Sequence, residues 1–407
     1  MPRIGRRDLV AGSVALSIAM PSIVRAQRRY DPGVTDQEIR IGHTNPYSGP
    51  ASSFGIIGKG HAAYWSWVND TGGINRRKVK FISYDDAMTP PKSVEMVRRL
   101  VEEDQVLAIF QLLGTASNAV VRKYLNQKKV PQLFTGSGSS QFGDPAQFPW
   151  TMGWQPTYAD EAEIYARHIL ASHKGAKIGV LFQNDDSGRD YLMGFRKGLG
   201  PEGEKLLVAT AGFEMTDPTV DSQVAQIKAS GATVFFIQGI AKQCAQAIRK
   251  AADLGWTPAR YITNTSASIA STLKPAGLDI SKGVITSLYI KDPTDGQWAG
   301  SPDYVAWEAW MAKYLPQASK ADYLYAYSYA VSATLRHCLA LCGDTLTREN
   351  LMKQATNMKN LEIPMLLPGI RLNTSATDYH PIQSLRLAQF DGESWKLFGD
   401  ILSGDSN

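Results

Sequence analysis

The sequence predicts an α/β protein built on two successive parallel sheets, each covered by helices. Short apolar runs alternate with amphipathic segments from Glu38 to Thr135, and the same alternation restarts after Pro156. Strands alternating with helices of this length form parallel sheets buried on both faces. The chain has 407 residues, too many for one ordinary domain.

The first series begins with Ile39 to Thr44, read as a strand, and Phe54 to Asn69, a helix with Ile57, Tyr64 and Val68 on one side. Val79 to Tyr84 is the second strand. Val94, Val97 and Val101 then fall at helical spacing, behind Thr89 as N-cap and Pro90 at the first helical position. Val106 to Gln111 is the third strand, Ser117 to Gln127 a helix, and Pro131 to Thr135 the fourth strand. The second series runs through helix Tyr158–Ser172, strand Lys177–Phe182, helix Gly188–Leu199 and strand Leu206–Gly212. Helix Val220–Ala229, strand Thr233–Gln238, helix Lys242–Leu254 and strand Arg260–Thr263 complete it. The tail differs: an extended run Val284–Ile290, helices over Pro302–Leu315, Tyr323–Leu341 and Leu346–Met358, then a hairpin turning at Asp391-Gly392.

Residues 1–26 read as an export signal. Arg3, Arg6 and Arg7 form a positive front, Leu9 to Ile23 is apolar or small, and Val24-Arg25-Ala26 suits cleavage before Gln27. Gly5-Arg6-Arg7-Asp8-Leu9-Val10 is similar to a twin-arginine signal; the alternative is a general secretory signal with two adjacent arginines. Removing this segment leaves 39 basic against 37 acidic residues, a net charge of +2. That balance argues against nucleic acid or a membrane surface as partner. Cys338 and Cys342 lie four apart on a predicted helix, where a disulfide is strained, so with Cys244 they read as small buried hydrophobes.

Ligands of open parallel sheets bind beyond the carboxyl ends of the strands. Two loops there are rich in glycine and hydroxyls. Leu113-Gly114-Thr115-Ala116-Ser117 opens a helix, whose free N–H groups suit a carboxylate. Gly136-Ser137-Gly138-Ser139-Ser140 follows the fourth strand and allows close backbone approach with hydroxyl donors. The bland reading makes both ordinary capping turns. Phe54 either walls a ligand or staples its helix. Asp85-Asp86 reads as a loop brace. No Gly-x-Ser-x-Gly elbow, phosphate loop or calcium loop is present, and the histidines are scattered. No enzyme, cofactor or metal is therefore expected.

The chain resembles the branched-chain amino-acid (Leu/Ile/Val)-binding family of ABC-transporter substrate-binding proteins, with the type I periplasmic binding protein fold. The resemblance runs from about Glu38 to Phe398. It rests on Ser48-Gly49-Pro50 with Phe54-Gly55, Asn69-Asp70-Thr71-Gly72-Gly73-Ile74, Tyr84-Asp85-Asp86, Gln183-Asn184-Asp185-Asp186-Ser187-Gly188 and Tyr289-Ile290-Lys291-Asp292-Pro293. It implies two Rossmann-like lobes joined by a three-crossover hinge, with lobe I comprising 37–155 plus 286–362 and lobe II 156–285 plus 363–407. It also implies a ligand carboxylate held by Gly114, Thr115, Ser137 and Ser139, with Phe54 shaping the pocket.

Three departures stand out. The family's acid for a ligand ammonium falls at Thr265, its second-lobe tyrosine at Ser187, and its disulfide at Met88 and Leu113. A buried ammonium without a counter-ion is costly. The expectation is therefore a periplasmic solute-binding component of an ABC importer that takes an aromatic or other organic acid rather than an α-amino acid. Its partners would be that small ligand and a membrane permease, and its expected state is a monomer. The alternatives are a periplasmic sensor for a signalling partner and a true branched-chain amino-acid binder.

Overall fold

The computed structural model describes residues 29–404, so the export segment lies outside the described residues. A short strand β1 (Arg29–Tyr30) precedes β2 (Glu38–Asn45), β3 (Lys78–Asp85), β4 (Ala108–Phe110) and β5 (Gln132–Leu133). The last four form a parallel sheet in the order β3-β2-β4-β5. Their connections are helices α1 (Gly55–Asp70), α2 (Pro90–Glu102) and α3 (Thr115–Gln127). Thr89 and Pro90 open α2 as the sequence predicts.

The second sheet contains β6 (Ile178–Gln183), β7 (Leu207–Phe213), β8 (Val234–Ile237), β9 (Ala259–Ile262) and β10 (Ile285–Leu288) in parallel. Helices α4 (Tyr158–Ser172), α5 (Asp186–Gly203), α6 (Asp221–Ala229) and α7 (Ala241–Asp253) flank it, with short turns α8 (Lys274–Ala276) and α9 (Leu278–Ser281) beyond. Thr157 caps α4 by accepting the Asp160 N–H at 3.0 Å. β8, all buried, reads Val-Phe-Phe-Ile, as a strand covered on both faces must.

After β10 the chain forms α10 (Pro302–Tyr314), α11 (Leu324–Leu341), β11 (Thr345–Leu346) and α12 (Arg348–Ala355). These pack back on the first sheet's side: α1 meets α10 and α11, and β11 pairs with β1. The His61 ring bonds the Ser332 hydroxyl at 2.8 Å across that contact. The chain then returns to the second sheet as the antiparallel hairpin β12 (Ser384–Phe390) and β13 (Trp395–Ser403), giving the order β13-β12-β10-β9-β8-β6-β7. Two α/β lobes therefore exchange chain three times, after β5, after β10 and after α12.

Three local readings are refined. Leu346 belongs to a strand, so the following helix starts at Arg348. The hairpin turn takes four residues, with the Asp391 carboxylate accepting the Glu393 and Ser394 N–H groups. β5 pairs over only two residues. Asp85 and Asp86 brace the loops, accepting from Ser48, Tyr47 and Ala87 and from Thr44, Ser93 and Met88 respectively. Cys244, Cys338 and Cys342 are free and buried. No described helix is long and apolar enough to cross a membrane.

Helices α4 and α5 cross closely because α5 presents glycine. A Cβ on Gly194 would lie 2.2 Å from the Ala159 carbonyl oxygen and 2.4 Å from its Cα. Gly194→Ala gains about 1 kcal/mol of helix propensity. It is still expected to lower stability, by about 1–3 kcal/mol as in other overpacked cores. A urea midpoint at or above that of the wild type would show that the contact relaxes instead.

Candidate functional site

The carboxyl ends of both parallel sheets face one cavity of about 740 Å³, open solvent at its mouth included. The first lobe supplies Phe54 and Ile57 at the start of α1, Met88 after β3, Leu113, Gly114 and Thr115 at the start of α3, and Gly136 after β5. The second supplies Gln183, Asp185, Ser187 and Tyr191 around the start of α5, Gln238 to Ile240 after β8, and Asn264 and Thr265 after β9. Tyr289 follows β10, while Tyr323, Leu324 and Tyr327 come from the start of α11.

The α3 end has the features an anion needs. Gly114 takes φ +98°, and its N–H bonds the Gly136 carbonyl at 3.1 Å, which joins the two glycine loops. The N–H groups of a helix's first turn have no partner within the helix. Thr115 faces the cavity, and its hydroxyl bonds the Ser137 hydroxyl at 2.8 Å. Ser137 in turn accepts the Ser139 N–H at 3.1 Å. Of the seven residues singled out by sequence, Phe54, Gly114, Thr115, Ser187 and Thr265 line the cavity, whereas Ser137 and Ser139 are not among its lining residues. Ser137 backs Thr115, and Ser139 accepts from the Gln141 side chain.

The rest of the wall was not visible in sequence. Five tyrosines line it: Tyr158, Tyr191, Tyr289, Tyr323 and Tyr327. Burial raises the pKa of each, so all keep their hydroxyl protons. Tyr158 stacks on Tyr191 with ring centroids 4.5 Å apart. Tyr327 lies within hydrogen-bond distance, 3.0 Å, of both Gln111 and Gln155. No lysine or arginine is among the lining residues, so an anion here meets dipoles and hydroxyls rather than a cation.

One acid does line the cavity. Asp185 caps α5 through the Gly188 N–H and accepts from Ser187 and Gln183. The second lobe thus keeps a carboxylate at the cavity, although not at Thr265, whose hydroxyl meets that of Thr263 at 3.1 Å. The Gln183 Oε1 atom is buried and has no hydrogen-bond partner within the described residues. Such an acceptor is costly unless a ligand donor meets it. Behind this wall, Glu161 is fully buried, and burial pushes its carboxyl up to about 7. Its position in α4, between Pro156 and an apolar run, carries no sequence signal of function.

Among the described residues, no group of three or more His, Cys, Asp or Glu side chains is arranged to hold a metal ion. The architecture is that of a two-lobed solute-binding protein. The pattern shared by the periplasmic binding proteins matches residues 38–394, and the chain belongs to that family. An amino acid binding protein of Pseudomonas aeruginosa is 26% identical over 231 residues, 56% of this chain and 60% of that protein. The Leu/Ile/Val-binding protein of Escherichia coli K12 is 19% identical over 252 residues, 61% of this chain and 64% of that one. The chain thus spans less than two thirds of either relative's length.

Two solved structures share the fold. A branched-chain amino acid ABC transporter protein from Thermus thermophilus with bound valine superposes with TM-score 0.82 at 14% identity, over 91% of this chain and 98% of that one. A fatty acid ABC transporter substrate-binding protein from Thermomonospora curvata gives 0.78 at 19% identity, over 93% and 95%. The chain stands with binding proteins, not enzymes.

Gly114 gives the site a direct test. Its φ of +98° strains any other residue, and an added Cβ would lie 2.9 Å from the Met88 Cγ. Gly114→Ala is expected to cost about 1–3 kcal/mol and to weaken ligand binding by displacing the start of α3. Calorimetric affinity equal to that of the wild type would remove this helix end from the site.

Proposed function

We propose that the chain is the solute-binding component of an ABC importer, capturing a small carboxylate ligand between its lobes in the periplasm. The observation that carries this reading is the open start of α3, set with Gly114 and Thr115 against a tyrosine-rich wall. The ligand carboxylate meets the first-turn N–H groups and the Thr115 hydroxyl. Its body packs on Phe54 and the tyrosine rings, which suits an aromatic or other planar organic acid. A hydroxyl donor on the ligand would satisfy Gln183 Oε1.

The lobes of this reading are 37–155 plus 286–362 and 156–285 plus 363–407. They close over the ligand, and the closed form of a monomer docks on a membrane permease. Ligand drives closure only by its differential affinity for the closed state. Membership in the periplasmic binding protein family supports export through residues 1–26.

Asp185 favours a second reading, an α-amino acid. Its carboxylate lines the cavity on the second-lobe side, where it can pair with a ligand ammonium.

A thermal-shift panel of hydroxylated benzoates, cinnamates and α-amino acids separates the two. The first reading expects an aromatic acid to stabilise the protein by about 2.7 kcal/mol at a hundredfold excess over Kd. A shift with amino acids alone transfers the assignment to the second reading. No shift with any class sinks the carboxylate assignment, and mass spectrometry of co-purified ligand then names the solute directly.

A further inference from the structure

We infer that Glu161 is a positioning residue of the cavity, and that its ionised form sets the wall that receives ligand. The inference rests on reading the cavity as the solute site. Glu161 does not line the cavity. Five donors converge on its carboxyl instead. Oε1 receives the Tyr165 hydroxyl at 2.6 Å, the Asn264 backbone N–H at 2.7 Å and the Ser287 hydroxyl at 3.1 Å. Oε2 receives the Tyr191 hydroxyl at 2.6 Å and the Asn264 side-chain amide at 2.7 Å.

These partners tie the carboxyl to three parts of the molecule. Tyr191 and Asn264 both line the cavity, and Ser287 lies on β10, the strand leading into the second crossover. Tyr158 stacks on Tyr191, while the Asn264 carbonyl accepts the Tyr323 hydroxyl from the start of α11. One carboxyl thus orders wall residues contributed by both sides of the cleft.

A proton on either oxygen costs a hydrogen bond: on Oε1 it displaces the Tyr165 or Ser287 hydroxyl, and on Oε2 it displaces that of the cavity-lining Tyr191. The Asn264 N–H and amide groups only donate here, so the new carboxyl O–H must turn toward a hydroxyl. At Oε2 the only hydroxyl is that of Tyr191, which must rotate to accept. Its own proton then points elsewhere in the wall.

Glu161 is the member of this cluster that titrates near neutral pH. The titratable groups facing it are Tyr165 from its own helix, Tyr191 from α5, Tyr289 after β10 and Tyr323 before α11, with Tyr158 stacked on Tyr191. Burial holds all five as neutral hydroxyls. Asp185 faces Tyr158, and Asp322 and Asp292 face Tyr323. Burial pushes Asp322 and Asp292 to about 6, so a separate step near pH 6 belongs to them. Burial pushes Glu161 from 4.5 to about 7, above its unfolded value. Its contribution to stability is therefore full below about pH 4.5 and lost as pH rises through about 7. Affinity runs the other way, because ligand binds the ionised form.

The test uses the mature chain with 4-hydroxybenzoate and L-phenylalanine as probes. Wild-type affinity for a bound probe is expected to be about tenfold tighter at pH 8 than at pH 6, following the ionised fraction. Glu161→Gln should change less than about twofold over that range. The ligand-free thermal midpoint of the wild type, relative to Glu161→Gln, should fall from pH 5 to pH 8. A difference constant with pH overturns the inference.

Tyr165→Phe keeps the carboxyl and removes one donor, so its binding midpoint should move to higher pH. This variant decides the matter if Glu161→Gln does not fold, and an unmoved midpoint overturns the inference. A probe that binds with one Kd at both pH values overturns the inference alone. Absence of binding by either probe at pH 8 overturns it together with the carboxylate reading beneath it.

Discussion

Parallel strand direction is the constraint on which the rest of the structure depends. A parallel ladder needs a crossover after every strand, so each helix begins near the carboxyl edge of its sheet. Helix N-termini, with their free N–H groups, collect at that edge. Because both lobes are built this way and their strand ends face one another, the starts of α1, α3 and α5 surround one cavity. The α10–α12 segment packs on the first lobe and brings the start of α11 to the same place.

The chemistry of the cavity follows from what is absent among its lining side chains. Without lysine or arginine, the wall offers an anion fixed dipoles and neutral hydroxyls, beside the one carboxylate of Asp185. Such groups need little reorganisation when ligand arrives, provided their own geometry is held. The holding is done behind the wall: Ser137 behind Thr115, Gln111 behind Tyr327, and Glu161 behind Tyr191 and Asn264. A buried carboxylate is an expensive way to fix a wall, and here five hydrogen bonds offset only part of the cost, so the carboxyl stays above its usual range. Stability given up for an ordered binding surface is a common trade in functional sites.

The first-lobe half of the cavity lining was legible because its signal is local. A glycine followed by a hydroxyl residue, between an apolar strand and a helix, states its geometry within five residues, and the Leu113–Ser117 loop lies where that pattern places it. Ser137 and Ser139 carry the same local signal yet stand behind the lining, because sequence gives the loop but not which hydroxyl turns inward. The second-lobe acid shows the limit more sharply. Thr265 was the position compared with the family, while the carboxylate that reaches the cavity, Asp185, is the cap of α5.

By itself, the sequence determined the order of strands and helices, the parallel sheets and the loops at their carboxyl ends. Each of these follows from periodicity and turn chemistry within a short window. Only the tertiary structure decided that five tyrosines from four separate segments share one wall, and that Glu161 stands behind it. The physical reason is distance along the chain. Glu161 meets Asn264 across 103 residues and Ser287 across 126, and no local pattern records a contact made by the packing of a whole lobe.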